Sequence, residues 1–122
     1  KGFSAKSPRI DLHFTTIRSK QEYIYFFEAK NLKESDSSLK RRYVTTGIDN
    51  YISGKYYNGC LIGYLLAGNL DNTIAGINSL LKKDKRDSEF LLKQTFRLHD
   101  HYYESNHTAL GILKHLIFDF TS

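Results

Sequence analysis

Glu28 and Lys30 stand two residues apart at the end of an apolar run, Ile24-Tyr25-Phe26-Phe27, while Asp11 lies upstream on a segment that alternates polar and apolar residues. On a strand, residues two apart share a face, so Glu28 and Lys30 point one way and Ala29 the other. Charges at the end of a buried strand are costly to hold unless something offsets them, which marks the trio as a candidate site. Two hard oxygen ligands with open positions around them suit Mg2+ or Mn2+, and an adjacent ammonium can hold or activate a water. Hydrolysis assisted by a divalent cation is the chemistry these residue types support. The competing reading is a structural Glu28–Lys30 pair with Asp11 solvated, but an exposed pair of that kind would add little stability.

Adjacent strands must bring these residues together. Ile24–Ala29 is near-continuously apolar and short, as expected of a strand buried on both faces. Arg9–Ile17 alternates, as a half-buried strand does, and Arg18-Ser19-Lys20-Gln21 between the two runs is suited to a hairpin loop. A register that pairs Ile17 with Glu22 also pairs Asp11 with Glu28. Directly opposed residues have Cβ atoms roughly 4.5–5.5 Å apart, and two carboxylates so placed repel unless a cation sits between them. Arg9 and His13 share the face of Asp11 and could meet phosphate oxygens; a solvated sheet face explains them almost as well.

Downstream, Ser35, Asp36 or Ser37 can cap a helix over Ser38–Ser53, whose apolar positions include Val44, Ile48, Tyr51 and Ile52 and which Gly54 would end. Lys40, Arg41 and Arg42 come early in that helix and oppose its macrodipole. Contact with phosphate would explain the placement, as would a merely exposed basic turn. Cys60–Ala67, bounded by Gly59 and Gly68, predicts a buried strand parallel to the Ile24–Ala29 strand through a right-handed helical crossover. Asn69-Leu70-Asp71-Asn72 offers caps for a second helix with Ile74, Ile77, Asn78, Leu80 and Leu81 on its stripe. The charge run from Lys82 to Asp87 reads as a solvated helix end. Phe90–Leu98 fits a strand or a short helix, His99–Thr108 a loop, and Leu110–Phe120 a final strand, although its apolar spacing also suits a helix.

The segment Ser7-Pro8-Arg9-Ile10-Asp11, followed after a hairpin by Phe27-Glu28-Ala29-Lys30, resembles the PD-(D/E)XK nuclease superfamily with its restriction-endonuclease-like fold. Pro8 and Asp11 are separated by two residues where that pattern has them adjacent. The resemblance implies an α/β fold, a mixed central sheet flanked by helices in β-β-α-β-α-β order. It implies a Mg2+-dependent (or Mn2+-dependent) endonuclease that hydrolyses phosphodiester bonds in DNA. In that family the two acids, here Asp11 and Glu28, bind the metal. The backbone carbonyl of Ala29 adds a ligand, and Lys30 assists the attacking water. Tyr43 lies where a helical residue sometimes assists. Arg9, His13, Lys40, Arg41 and Arg42 are the expected nucleic-acid contacts. RNA as substrate and homodimerisation stay open, and the alternative is a non-catalytic nucleic-acid-binding or assembly domain that retains the fold.

Composition bounds these readings. A chain of 122 residues is long enough for one core and not two, which predicts a single domain over 1–122. The absence of Met, even at position 1, points to a fragment, and a further acidic residue on a helix before the first strand, frequent in that superfamily, would lie upstream. A net charge of +5 favours a polyanionic partner. Cys60 is the only cysteine, which excludes an internal disulfide, fits a reducing compartment and reads as a core thiol in its apolar run. No stretch reaches the roughly 18 apolar residues of a membrane span and no signal peptide is visible, so a cytoplasmic, membrane-free location is expected. His99, His101, His107 and His115 lack the spacing of a helical zinc site and read as loop or surface residues. Glycines 59, 63 and 68 form no nucleotide-binding pattern.

Overall fold

The computed structural model describes residues 12–18, 21–53, 59–108 and 110–121, with side chains described from Phe27 onward. Strands β1 (Leu12–Arg18) and β2 (Gln21–Lys33) form an antiparallel hairpin, with Ile17 opposite Glu22 and Leu12 opposite Phe27. The Ile17–Glu22 pairing is the one considered above for a hairpin closed at this loop. Arg9 and Asp11 lie outside the described residues, as do Ser19, Lys20 and Gly54. Strand β2 does not end at the Glu28-Ala29-Lys30 charges, as expected above, but runs on to Lys33. Asn31 and Leu32 keep pairing with the next strand, and Leu32 points into the core with no exposure. The charged pair is therefore interior to the strand.

Helix α1 (Ser37–Arg42) starts at Asp36, whose side chain accepts the Leu39 N–H at 3.0 Å. The helical path continues through a π-helical stretch, Tyr43–Ile48, into α2 (Asp49–Ile52). Strand β3 (Gly59–Ala67) then pairs parallel to β2, with Glu28 beside Leu61 and Lys30 beside Gly63. Asn69 caps α3 (Leu70–Lys83) by accepting the Asn72 N–H at 2.9 Å, and Leu70, Ile74, Ile77 and Leu81 form its buried stripe.

After α3 comes a 3-10 turn (Asp87–Glu89), followed by β4 (Leu92–Lys93), β5 (Tyr102–His107) and β6 (Gly111–Asp119). The final strand is as expected. The segment His99–Thr108 is not a loop throughout, because β5 occupies most of it, and Phe90–Leu98 contributes only the two residues of β4. The order is thus β-β-α-β-α followed by three strands. Tyr103, Ser105 and His107 of β5 face the core, and the polar pair among them hides the strand from a hydrophobicity pattern.

The six strands lie in the order β1-β2-β3-β6-β5-β4, with β2, β3 and β6 parallel and the outer pairs antiparallel. The helices pack on one face, where Leu32, Leu61, Leu65 and Ile117 from the sheet meet Tyr43, Ile48, Ile74 and Ile77. Among the described residues no helix is long and apolar enough to cross a membrane.

Candidate functional site

Glu28 and Lys30 sit in the middle of β2 on the helix-covered face, and both side chains are buried, with Glu28 at 0% exposure. Lys30 Nζ lies 3.1 Å from Glu28 Oε2. Among the described residues neither carboxylate oxygen accepts an aligned hydrogen bond, so the lysine offers charge and little else. A fully buried carboxylate normally collects several donors. A buried ion pair is also a poor way to gain stability, since two well-packed apolar residues often do as well or better. The unused lone pairs of Glu28 fit a hard cation, which wants oxygen ligands. Among the described residues no group of three His, Cys, Asp or Glu side chains converges on one point, and Asp11 is not one of those residues.

The other expected contacts are spread along the chain. His13 lies on β1 opposite Phe26, and its side chain is outside the described set. Lys40 Nζ donates to the Glu34 carbonyl at 2.6 Å. Arg41 forks onto Asp84 with N–O distances of 2.6 and 3.3 Å, and holds that carboxyl below the usual carboxylate range. Arg42 is exposed. Two of the three basic side chains thus tie α1 to its neighbours and leave Arg42 at the surface.

A second polar cluster, which the sequence reading did not identify, crosses the core behind β3. Tyr43 OH lies 2.8 Å from His115 Nδ1, and His115 Nε2 lies 2.7 Å from Ser105 Oγ. Ser105 Oγ is 2.6 Å from His107 Nε2, and His107 Nδ1 is 2.7 Å from Glu89 Oε1. Arg86 then grips Glu89 at 2.6 Å and Asp49 at 2.8 Å. His107 and His115 are therefore buried strand residues and not loop or surface ones. The signal that could have found them is periodicity: His107 lies two residues beyond Ser105, and His115 between inward Leu113 and Ile117. His99 does stay in a loop, bonded through Nε2 to the Ile117 carbonyl at 2.6 Å.

Local chain geometry places each member. Gly63 packs beside the Tyr43 ring, where a Cβ would lie 3.4 Å from Tyr43 Cε2 and would crowd Ile117 at 2.8 Å and Leu32 at 2.9 Å. Arg86 is aimed by the end of α3. Lys85 adopts a left-handed conformation (φ 61°), the Arg86 N–H bonds the Leu81 carbonyl and the Lys85 N–H bonds the Lys82 carbonyl. That is the Schellman arrangement of hydrogen bonds.

Burial dominates the electrostatics of this cluster. It pushes the His115 pKa down to about 3, and lowers that of His107 despite the opposing pull of Glu89. Burial also raises the Tyr43 phenol well above its ordinary value, while Arg86 keeps the Glu89 carboxyl low. Ser105, His107 and Glu89 have the spacing of a Ser–His–acid triad. Yet the Ser105 oxygen lies between two histidines, His107 and His115, and is engaged by both, so it is committed inside the cluster and not free as a nucleophile. The Cys60 thiol, buried and with its pKa pushed up to about 11, is a core group. No protein-family model, no curated protein and no solved structure matches this chain.

Proposed function

We propose that the chain is a metal-dependent nuclease domain with a restriction-endonuclease-like core, hydrolysing phosphodiester bonds in DNA with Mg2+ or Mn2+. The observation that carries this reading is Glu28: a carboxylate at 0% exposure that accepts no hydrogen bond and has Lys30 as its one close cation among the described residues. The order of elements supports it, since the hairpin that bears the motif leads through helix to a strand parallel to β2. So does the net charge of +5, which favours a polyanion.

In this reading Glu28 and Asp11 hold the metal, with the Ala29 carbonyl as a further ligand. The described register reaches the Leu12–Phe27 pair, and the expected pairing of Asp11 with Glu28 belongs to that same register. When bound there, a divalent cation would supply acidification of the attacking water and neutralisation of phosphodiester charge. Lys30 would donate a hydrogen bond to the attacking water and add positive charge where the phosphoryl oxygens become more negative. The apolar neighbours, Leu61 among them, keep bulk water away and so strengthen both interactions.

The test is titration of the protein with Mn2+ by calorimetry, alongside cleavage of plasmid and of single-stranded DNA. Wild type is expected to bind Mn2+ and cleave. Glu28→Gln should lose both, and Lys30→Ala should keep metal binding but lose cleavage. Equal Mn2+ binding by wild type and Glu28→Gln would sink the proposal. Salt-dependent DNA affinity with no metal binding by wild type would instead favour a non-catalytic binding domain.

A further inference from the structure

The buried chain from Tyr43 to Glu89 leaves no freedom in where its hydrogens sit. Glu89, gripped by Arg86, only accepts, so His107 Nδ1 carries a hydrogen. Neutral His107 then has a bare Nε2, which accepts from the Ser105 hydroxyl. The Ser105 oxygen accepts the Nε2–H of His115, whose bare Nδ1 accepts from the Tyr43 hydroxyl. All four hydrogen bonds point from Tyr43 toward Glu89, and each donor has an acceptor. The chain also joins separate elements: Tyr43 opens the π-helical stretch, Ser105 and His107 lie on β5, His115 on β6, and Glu89 follows α3.

We propose that this chain is an acid-operated latch, which holds the π-helical stretch at Tyr43 against β5 and β6 while His107 is neutral and loosens it when His107 gains a second proton. That proton would turn His107 Nε2 into a donor to Ser105. The Ser105 hydrogen then needs a new acceptor, and finds one only if His115 moves its own hydrogen to Nδ1. In that case the Tyr43 hydroxyl loses its acceptor. If His115 does not change, the Ser105 hydrogen is stranded instead. Either way one O–H is left unpaired in a closed core, which weakens the contact that closes the latch.

His107 is the member that responds first, because its partner Glu89 reaches the surface at 20% side-chain exposure, whereas His115 is fully enclosed. The charged groups around His107 are Glu89 and Arg86 from the segment after α3 and Asp49 from α2; Ser105 on its own strand is the neutral partner. His115 of β6 is the titratable group that reaches it through Ser105. Glu89 and Asp49 favour the added proton, and burial and Arg86 oppose it. The latch stands whether or not the chain cleaves DNA.

Long-range proton–nitrogen spectra of the 15N-labelled chain at neutral pH test the hydrogen placement. His107 is expected as the Nδ1–H tautomer and His115 as the Nε2–H tautomer; either found reversed overturns the latch. Amide exchange between neutral and mildly acid pH tests the release. Protection at Val44–Ile48 should fall about tenfold as His107 titrates, while Ile77–Leu81 in α3 keeps its own. Glu89→Gln, a change near the surface, removes a group that favours the proton and should move the opening to lower pH. Tyr43→Phe should leave Val44–Ile48 weakly protected at every pH. Protection that is constant through the titration of His107, or an opening unmoved by Glu89→Gln, rules the latch out.

Discussion

Lys30 Nζ and Glu28 Oε2 lie 3.1 Å apart inside a strand that hides both side chains from water. Each charge is thus the main compensation for the other. Removing one partner of a buried pair typically costs ~3–5 kcal/mol, whereas replacing both by apolar residues is often neutral or better. Lys30→Met, measured in a chelator, should lower the unfolding free energy by about 3 kcal/mol. Glu28→Leu combined with Lys30→Met should recover most of that loss in urea denaturation. A double variant as unstable as the single would show that the pair adds stability of its own.

The buried histidines give stability a pH dependence whose sign follows from their shifts. The His115 pKa is about 3 when folded, against an ordinary value of 6.5. Between those values the unfolded chain binds a proton that the folded chain refuses. The neutral imidazole therefore contributes its full stability above about pH 6.5, and that stability is lost as pH falls toward 3, by ~1.4 kcal/mol per pH unit. His107, shifted in the same direction, adds to the same slope. Urea midpoints should fall measurably from pH 7 to pH 5.5. A midpoint that held steady or rose would mean that the histidines are charged in the folded protein.

Much of the frame could be read from residue patterns. The hairpin, the parallel β3 and the Asn69-capped α3 follow from apolar runs, turn residues and periods, because each buries its own hydrophobic residues, whereas the apolar spacing of the last strand suits a helix as well. Strand β5 was hidden since its inward Ser105 and His107 are satisfied by Glu89 and His115, which are distant in sequence. Hydropathy has no means of showing such a partnership. The same cause misplaced the end of β2: a Glu-Ala-Lys sequence looks like a boundary until the two charges are seen to answer each other. In the candidate site, the shared face of Glu28 and Lys30 was legible from their spacing, but not the lack of donors to Glu28 among the described residues.

Gly63 faces the Tyr43 ring in a gap without room for a methyl group. A Cβ would meet Ile117 Cδ1 at 2.8 Å and Leu32 Cδ1 at 2.9 Å, with Tyr43 Cε2 at 3.4 Å. The two aliphatic tips can turn, but only into a packed core. Gly63→Ala should therefore cost about 1–3 kcal/mol by overpacking. It should also shift the Ile117 and Leu32 methyl resonances, since those two tips must give way. Full stability with unshifted resonances would show that the core yields more easily than its packing suggests.

Lys85 holds a left-handed conformation at the end of α3, where a side chain crowds the backbone and glycine does not. The Schellman bonds from Arg86 to Leu81 and from Lys85 to Lys82 impose that conformation, and Arg86 needs it to reach both Asp49 and Glu89. Relief of the left-handed strain makes Lys85→Gly a stabilising change of about 1 kcal/mol. Lys85→Ala separates this effect from loss of the lysine charge, because alanine keeps the Cβ while discarding the ammonium. Thermal or urea unfolding should rank Gly above Lys, with Ala no better than Lys. If Ala gained as much as Gly, the cause would be charge among Lys82, Lys83 and Arg86 and not backbone conformation.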